Sequence, residues 1–136
     1  MTETKIKSIG VMTSGGDAPG MNPCVRAIVR AAVSKGLKVF GIIGGYEGLM
    51  HGTFKEFGLR DVGGILQRGG TILQTRRSLE FKTPAGQTEA IRMMNNAEMD
   101  ALIVIGGDGS LTGAHTLAER GVRVVGIPGS IDNDIW

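Results

Sequence analysis

Apolar and polar residues alternate along the chain in two ways, as short β-branched runs and as longer stretches with helical periodicity. The short runs are typical of strands and cover 6–13, 38–43, 101–105 and 123–127. The last two are almost continuously apolar, as expected for parallel strands that helices cover on both faces. Strands that alternate with helices predict a single α/β lobe built on a parallel sheet.

The clearest helix is predicted after the first strand. Asn22 can cap it, Pro23 suits its first position, and Gly36 ends it. Its apolar positions recur at helical spacing, while Arg26 and Arg30 lie one turn apart on its other face. We expect its apolar face to pack against the sheet.

Three further helices are predicted along the rest of the chain. Two of them cover 61–67 and about 88–97, and the last begins with Ser110 as its cap and stops at Gly121. The stretch 44–60 is rich in glycine. We expect it to form an irregular excursion between the regular elements.

The composition is that of an ordinary globular domain except for its glycine. Glycine accounts for 23 of 136 residues, well above the usual share of about 7%. The net charge is +2 (15 basic minus 13 acidic residues), and the basic residues are scattered, which argues against nucleic-acid binding. A single cysteine, Cys24, excludes an internal disulfide, and no apolar stretch approaches the roughly 20 residues that span a bilayer. We therefore expect a cytoplasmic protein with no membrane or nucleic-acid partner.

Three loops that follow predicted strands combine glycine with aspartate and hydroxyl side chains, at 13–20, 106–110 and 128–134. The carboxyl ends of parallel strands form the edge at which such sheets bind their ligands. Glycine lets an anion approach the backbone amides, and a helix that begins there offers free N–H groups. The loops therefore predict a phosphate site, with Asp108 as the candidate ligand of a bridging Mg²⁺.

The loop sequences also distinguish between kinds of phosphate chemistry. The glycines at 15–20 have the spacing of a P-loop, but Met21 and Asn22 replace its lysine and its serine or threonine. No G-x-G-x-x-G follows a strand, which argues against a dinucleotide-dependent oxidoreductase. Asp132 suits the carboxylate that accepts a hydroxyl proton during phosphoryl transfer, and Arg77 is a candidate donor to the moving phosphate.

Four segments together resemble the ATP-dependent 6-phosphofructokinases. They lie at 10–22, 68–71, 105–110 and 128–134, and their order and spacing are highly specific. The likeness runs from about Lys5 to the last residue. It implies a Rossmann-like three-layer lobe with helices on both faces. Members of the family are typically more than twice this length, so we expect 1–136 to be the ATP-binding N-terminal lobe, ending just after the catalytic loop and lacking the second lobe.

The resemblance implies a kinase of glycolysis. It would transfer the γ-phosphoryl group of MgATP to the 1-hydroxyl of fructose 6-phosphate, giving fructose 1,6-bisphosphate and ADP. Asp132 would be the base that activates this hydroxyl, and Asp108 would hold Mg²⁺. The implied nucleotide contacts are Gly16, Tyr46, Arg77, Ser78, Gly107, Asp108, Gly109 and Ser110. The implied contacts of the sugar phosphate are Ser130, Ile131 and Asp132. Arg26 and Arg30 would line an effector site between subunits, and the family is usually homotetrameric.

Other readings of the sequence stay open. Diphosphate-dependent relatives usually carry Asp where this chain has Gly109 and Lys where it has Gly129, so glycine at both positions favours ATP. Ser130 stands where many members have Thr and keeps the hydroxyl, whereas Arg76 replaces a small residue and changes the local charge. NAD kinases and lipid kinases share the Gly-Gly-Asp-Gly element but lack the Asp-Asn-Asp loop. A non-catalytic nucleotide-binding fragment is the remaining alternative for the chain as it stands.

Overall fold

The computed structural model describes residues 6–14, 21–62 and 79–128. Within these ranges the elements are β1 (Ser8–Ser14), α1 (Met21–Ser34), β2 (Lys38–Ile42), α2 (Gly45–His51), β3 (Phe54–Phe57), α3 (Leu59–Val62), α4 (Pro84–Asn96), β4 (Ala101–Gly106), α5 (Asp108–Glu119) and β5 (Val124–Pro128). A short 3-10 helix, Glu80–Lys82, leads into α4. Of the helix predicted over 61–67, the part beyond residue 62 lies outside the described residues.

The strands form a sheet in the order β3-β2-β1-β4-β5. β1 pairs in parallel with β2 and β4, and β4 pairs in parallel with β5, which confirms the α/β fold. The edge strand β3 departs from the expected parallel sheet because it runs antiparallel to β2. Only residues 43–53 connect these two strands, and a parallel crossover needs about a dozen residues or more.

The expectation of an irregular excursion over 44–60 is wrong. α2 occupies part of this stretch and is bracketed by Gly44 and Gly52, whose φ angles are 94° and 73°. Left-handed backbone of this kind favours glycine, so the two glycines start and end a short helix. Between them, the side chains of Tyr46, Leu49 and Met50 are buried in the core.

Helices cover both faces of the sheet. On one face, Val25 and Val29 of α1 share a core with Val11 of β1. On the other face, α2, α4 and α5 share a second core that includes Met12 and Leu117. Neighbouring residues of a strand point to opposite faces, which is why Val11 and Met12 belong to different cores. The predicted three-layer lobe is therefore confirmed.

Helix boundaries differ from the sequence prediction at three starts. α1 is described from Met21 onwards, so Asn22 lies inside the helix. α4 begins at Pro84, four residues early, because Thr83 caps it and accepts a 3.0 Å hydrogen bond from the Gly86 amide. α5 begins at Asp108 with Gly107 as its N-cap, so the prediction of Ser110 as the cap is wrong. The helix starts directly after β4 ends, which places Ser110 inside its first turn, where it is buried.

In the part of the chain that the structure describes, no helix is both long and apolar enough to cross a membrane.

Candidate functional site

Strands β1, β4 and β5 end side by side at one edge of the sheet. Ser14 of β1 pairs with Gly106 of β4, and Gly106 pairs in turn with Pro128 of β5. The three loops that the sequence predicts to bind phosphate leave the sheet from these positions. The chain passes from β1 to β2 on one side and reaches β4 on the other, so the strand order reverses between β1 and β4. Open parallel sheets bind their ligands at this kind of reversal.

The middle loop joins β4 directly to α5. β4 ends at Gly106, Gly107 is the N-cap, and α5 begins at Asp108. The first N–H groups of a helix have no partner within the helix, and the helix dipole makes this end partly positive. Asp108 and Gly109 are exposed. The junction therefore presents amides without a partner in the helix at the edge where the strands end, and it suits an anion such as phosphate.

The glycines of this junction leave space beside the amides. A Cβ added at Gly107 or Gly109 would have no described atom within 4 Å. Neither residue has a positive φ angle, so the backbone conformation does not require glycine there. By contrast, a Cβ at Gly106 would come 2.7 Å from the Ser110 side chain, so that glycine is needed for packing. Packing thus explains Gly106, whereas neither a close described atom nor a positive φ angle requires glycine at 107 or 109.

The side chain of Tyr46 on α2 contacts the first turn of α5. Its hydroxyl donates a 2.5 Å hydrogen bond to the backbone carbonyl of Ser110. Its ring stacks on Phe81 with 4.1 Å between the ring centroids, and only 6% of the residue is exposed. Burial raises the pKa of the Tyr46 phenol, so the hydroxyl keeps its proton and stays a donor. Tyr46 therefore ties α2 to the first turn of α5.

Asp108 is the carboxylate of this turn and is exposed. Within the described ranges, no cluster of three or more His, Cys, Asp and Glu side chains is placed to hold a metal ion. Mg²⁺ does not need such a cluster, because it usually takes one or two carboxylates together with phosphate oxygens and water. Among the described residues, Asp108 is therefore the carboxylate at this junction that could take part in such a site.

Comparison with known protein families gives a match over most of the sequence. The phosphofructokinase family model matches residues 8–136. The chain belongs to the phosphofructokinase family. The resemblance seen in the four sequence segments is thereby confirmed.

Curated relatives are identical to this phosphofructokinase chain at about half of the aligned positions. The ATP-dependent 6-phosphofructokinase of Oceanobacillus iheyensis is 55% identical over 130 residues, which are 96% of this chain and 41% of the relative. The ATP-dependent 6-phosphofructokinase 2 of Bacteroides thetaiotaomicron is 53% identical over 132 residues, which are 40% of the length of that relative. The chain thus spans about two fifths of the length of these relatives.

Solved phosphofructokinases have the same fold. The T-state structure of Pichia pastoris phosphofructokinase matches 97% of this chain with a TM-score of 0.90 and 46% identity, and the match covers 17% of that structure. A pyrophosphate-dependent phosphofructokinase from Marinobacter aquaeolei matches with a TM-score of 0.74 at 15% identity, with 33% of that chain covered. At this low identity the second match supports the fold alone.

The structure brings together the predicted site residues that it describes around the β4–α5 junction. Tyr46 contacts the first turn of α5, which contains Asp108 and Ser110, and Gly107 caps the helix. The other residues predicted to contact the nucleotide or the sugar phosphate lie outside the described residues: Gly16, Arg77, Ser78, Ser130, Ile131 and Asp132. Their roles stay predictions from the sequence.

Arg26 and Arg30 are not part of this arrangement, because α1 and α5 lie on opposite faces of the sheet. Arg30 is exposed, and Arg26 is half-buried. The Nε of Arg26 is buried and has no hydrogen-bond partner among the described residues. The effector role of the two arginines is neither supported nor opposed by these contacts and stays a prediction.

Two residues at the site were missed by the sequence reasoning. Phe81 stacks on Tyr46, and Gly113 of α5 faces the same ring, since a Cβ there would lie 2.8 Å from the Tyr46 hydroxyl oxygen. Gly113 lies in a helix, where glycine is unfavourable by roughly 1 kcal/mol relative to alanine. This local mismatch was the one available signal that something approaches α5 closely at that position.

Proposed function

We propose that this chain is the nucleotide-binding part of an ATP-dependent 6-phosphofructokinase. The whole enzyme transfers the γ-phosphoryl group of MgATP to the 1-hydroxyl of fructose 6-phosphate, giving fructose 1,6-bisphosphate and ADP. The observation that carries this proposal is the open space at Gly107 and Gly109 beside the free amides of α5, at the reversal of strand order. Relatives at 55% and 54% identity, which are named as ATP-dependent enzymes, support it.

In this proposal the β4–α5 junction holds the phosphates of ATP. The amides of Asp108, Gly109 and Ser110 face the anion, and the helix dipole adds to the attraction. Asp108 would hold Mg²⁺ at this junction. When bound, Mg²⁺ neutralises charge on the transferred phosphoryl group. Gly16, Arg77 and Ser78 complete the nucleotide contacts, by analogy with the family.

The acceptor side rests on the third loop. Ser130 and Ile131 contact the sugar phosphate, and Asp132 accepts the proton of the 1-hydroxyl as the oxygen attacks phosphorus. A carboxylate suits this role because it can orient the hydroxyl before transfer and remove its proton during transfer. The pairing of Gly106 with Pro128 supports the placement, because the third loop leaves the sheet next to α5.

The donor is ATP in preference to diphosphate. An aspartate in place of Gly109 would project its carboxylate into the open space at the phosphate site and repel the nucleotide. Gly129 supports the same conclusion. Diphosphate-dependent relatives usually carry a lysine at this position, whose charge would compensate a bare diphosphate, and glycine has no such charge. Both glycines match the pattern of the ATP-dependent members.

The isolated chain is proposed to bind nucleotide without turnover. It spans 41% of its relative from Oceanobacillus iheyensis, and Val125 of β5 is 57% exposed on the sheet. β5 is an edge strand of the described sheet, and an edge strand presents backbone groups that a further element of the protein would cover. The complete enzyme is proposed to be a cytoplasmic homotetramer, with Arg26 and Arg30 at an effector site between its subunits.

Two measurements test the proposal. Calorimetric titration of this chain is expected to show binding of MgATP and weaker binding of magnesium diphosphate. In the full-length enzyme, Asp132→Asn is expected to lower kcat by about a hundredfold to ten-thousandfold with little change in nucleotide affinity. Asp134→Asn, two residues away in the same loop, is the matched control and should lower kcat far less. A preference for diphosphate, or full kcat in Asp132→Asn, would contradict the proposal.

A further inference from the structure

The two edges of the described sheet differ in the side chains that they present to solvent. β3 forms one edge, and its two central residues, Lys55 and Glu56, are charged and exposed. Lys55 pairs with Asp61 at 3.6 Å. Glu56 pairs with Lys38 at 3.8 Å. An edge strand that carries charged side chains resists pairing with a further strand, so the β3 edge is protected.

β5 forms the other edge and carries no charged residue, since its sequence is Val-Val-Gly-Ile-Pro. Val125 is 57% exposed, and Ile127 on the same face of the sheet is half-buried. On the opposite face Leu111 of α5 lies over Gly126, where an added Cβ would come 2.8 Å from the leucine side chain. Apolar side chains therefore flank the β5 edge on both faces, without the charges that protect β3.

The backbone of β5 offers hydrogen-bonding groups along this edge. The Leu102 amide donates to the Arg123 carbonyl at 2.9 Å, and the parallel register pairs Leu102 with Val124. In a parallel ladder, alternate residues turn their N–H and C=O groups toward the same neighbouring strand. Val124 and Gly126 therefore direct both groups outward, away from β4. Pro128 has no N–H, so the outward donors of the strand end at Gly126.

We propose that a second copy of this 136-residue chain pairs with the β5 edge, so that two five-stranded sheets join into one. Antiparallel pairing lets the same edge serve on both copies of a symmetric dimer. With Val125 opposite Val125 of the second copy, Val124 of each strand exchanges both of its hydrogen bonds with Gly126 of the other. This register uses both outward donors of each strand and leaves Pro128 outside the ladder.

The length of the chain favours a second copy as the occupant of this edge. The sequence continues for eight residues after Pro128 (136 minus 128), and a parallel crossover needs about a dozen or more. In the complete enzyme a further element would take the edge, so the pairing belongs to the chain as it stands. It does not depend on the proposed function.

Charge favours the antiparallel arrangement. Arg123 directly precedes β5 and is exposed. In the proposed register the two arginines lie at opposite ends of the ladder, four residues or roughly 13 Å apart along the strands. This distance exceeds the Debye length of about 8–10 Å at ordinary salt concentrations, so their repulsion is screened.

Sedimentation equilibrium of the chain tests the pairing. Over about 1 μM to 1 mM, the range that suits a small interface, the mass should rise from that of one chain to that of two. Val125→Lys should raise the dissociation constant by about tenfold or more, because two ammonium groups would then lie directly opposite each other. Leu59→Lys is the matched control, since Leu59 is 53% exposed on α3, which packs against α1 and not against β5. Its dissociation constant should equal that of the wild-type chain.

A cysteine at position 125 tests the register directly. Opposite residues of a non-hydrogen-bonded antiparallel pair have Cα atoms about 4.5 Å apart, which permits a disulfide. Val125→Cys in a Cys24→Ser background should therefore form a covalent dimer under mild oxidation. Leu59→Cys in the same background should not. The cysteine variant also decides the matter if circular dichroism shows that Val125→Lys is unfolded.

Any of three results would overturn the proposal. The first is a mass that stays at one chain, or rises beyond two, over the whole concentration range. The second is a folded Val125→Lys chain that dimerises as the wild-type chain does. The third is a Val125→Cys chain that forms no disulfide. Calorimetry with MgATP tests the proposed function separately, so a failure of the pairing and a failure of nucleotide binding are distinguishable.

Discussion

Two glycines one turn apart in α5 allow the proposed nucleotide site to be tested by stability as well as by binding. Alanine in place of glycine within a helix stabilises a protein by about 0.4–1 kcal/mol where the methyl group fits. At Gly109 a methyl group would meet no described atom within 4 Å. At Gly113 it would lie 2.8 Å from Cζ of the buried Tyr46 ring. The same substitution should therefore have opposite effects at the two positions.

The magnitudes follow from these distances. Gly109→Ala is expected to raise the free energy of unfolding by about 0.4–1 kcal/mol, because only the unfolded chain loses freedom. Gly113→Ala must displace a packed ring, and overpacking of this kind costs about 1–3 kcal/mol, which exceeds the helix gain. We expect a net loss of about 1–2 kcal/mol for Gly113→Ala. Urea denaturation of the free chains measures both values.

For Gly109→Ala, the stability and the affinity for MgATP should change in opposite directions. If the open space belongs to the phosphates, its methyl group intrudes on the ligand, and the affinity for MgATP should fall by about fivefold to a hundredfold. Gly109→Ala would then be more stable than the wild-type chain and yet bind ATP more weakly. Calorimetry on the same samples gives the affinities. Unchanged binding in a stabilised Gly109→Ala chain would refute the assignment of this space to the nucleotide, whatever the result at Gly113.

Two further predictions concern the scaffold. Asp100 Oδ2 accepts hydrogen bonds from the Lys7 amide at 2.7 Å and the Ser8 amide at 3.1 Å, and these bonds lower the pKa of the carboxyl. This stabilisation is present above pH about 4 and is lost as the pH falls through the lowered pKa. The urea midpoints of Asp100→Asn and the wild-type chain should therefore differ at pH 7 and converge in acid. A difference between the midpoints that stays constant with pH would contradict this prediction. Leu117 is fully buried between α5 and the sheet, so Leu117→Ala should cost about 2–5 kcal/mol in urea denaturation, and a loss below 1 kcal/mol would show that α5 is loosely packed.

The layers of the fold could be predicted because they depend on local patterns. The runs at 101–105 and 123–127 became β4 and β5, since apolar residues in a parallel strand are buried whichever way they point. α1 was predictable for a similar reason, as its apolar positions recur at helical spacing. The edge at which the loops predicted to bind phosphate leave the sheet could be inferred from the strands.

β3 could not be predicted in the same way. It has four residues, and its two central side chains, Lys55 and Glu56, are exposed at the edge of the sheet. Such a segment becomes a strand because β2 offers it a pairing partner, which no local pattern reveals. The start of α5 is a related case. Serine is the better cap by preference, but the end of β4 determines where the helix can begin.

The contact between Tyr46 and Ser110 lies furthest from what a pattern can show, since 64 residues separate the two positions. It depends on α2, which the sequence did not predict, and on a glycine at 113 that leaves room for the ring. The sequence identifies Tyr46 and Ser110 as candidates, but only the packed structure shows that they contact each other.

The glycines of the chain illustrate why a site can be located before its mechanism is understood. An excess of glycine in a sequence has three physical causes that look alike: a left-handed backbone, a close neighbour, or a ligand that needs the space. Gly44 and Gly52 belong to the first class by their φ angles, and Gly113 belongs to the second by the nearby Tyr46 ring. Among the described residues, Gly107 and Gly109 satisfy neither test. The third cause is the one that the proposed phosphate site assigns to Gly109, where glycine lowers the stability of the helix but leaves space for a ligand.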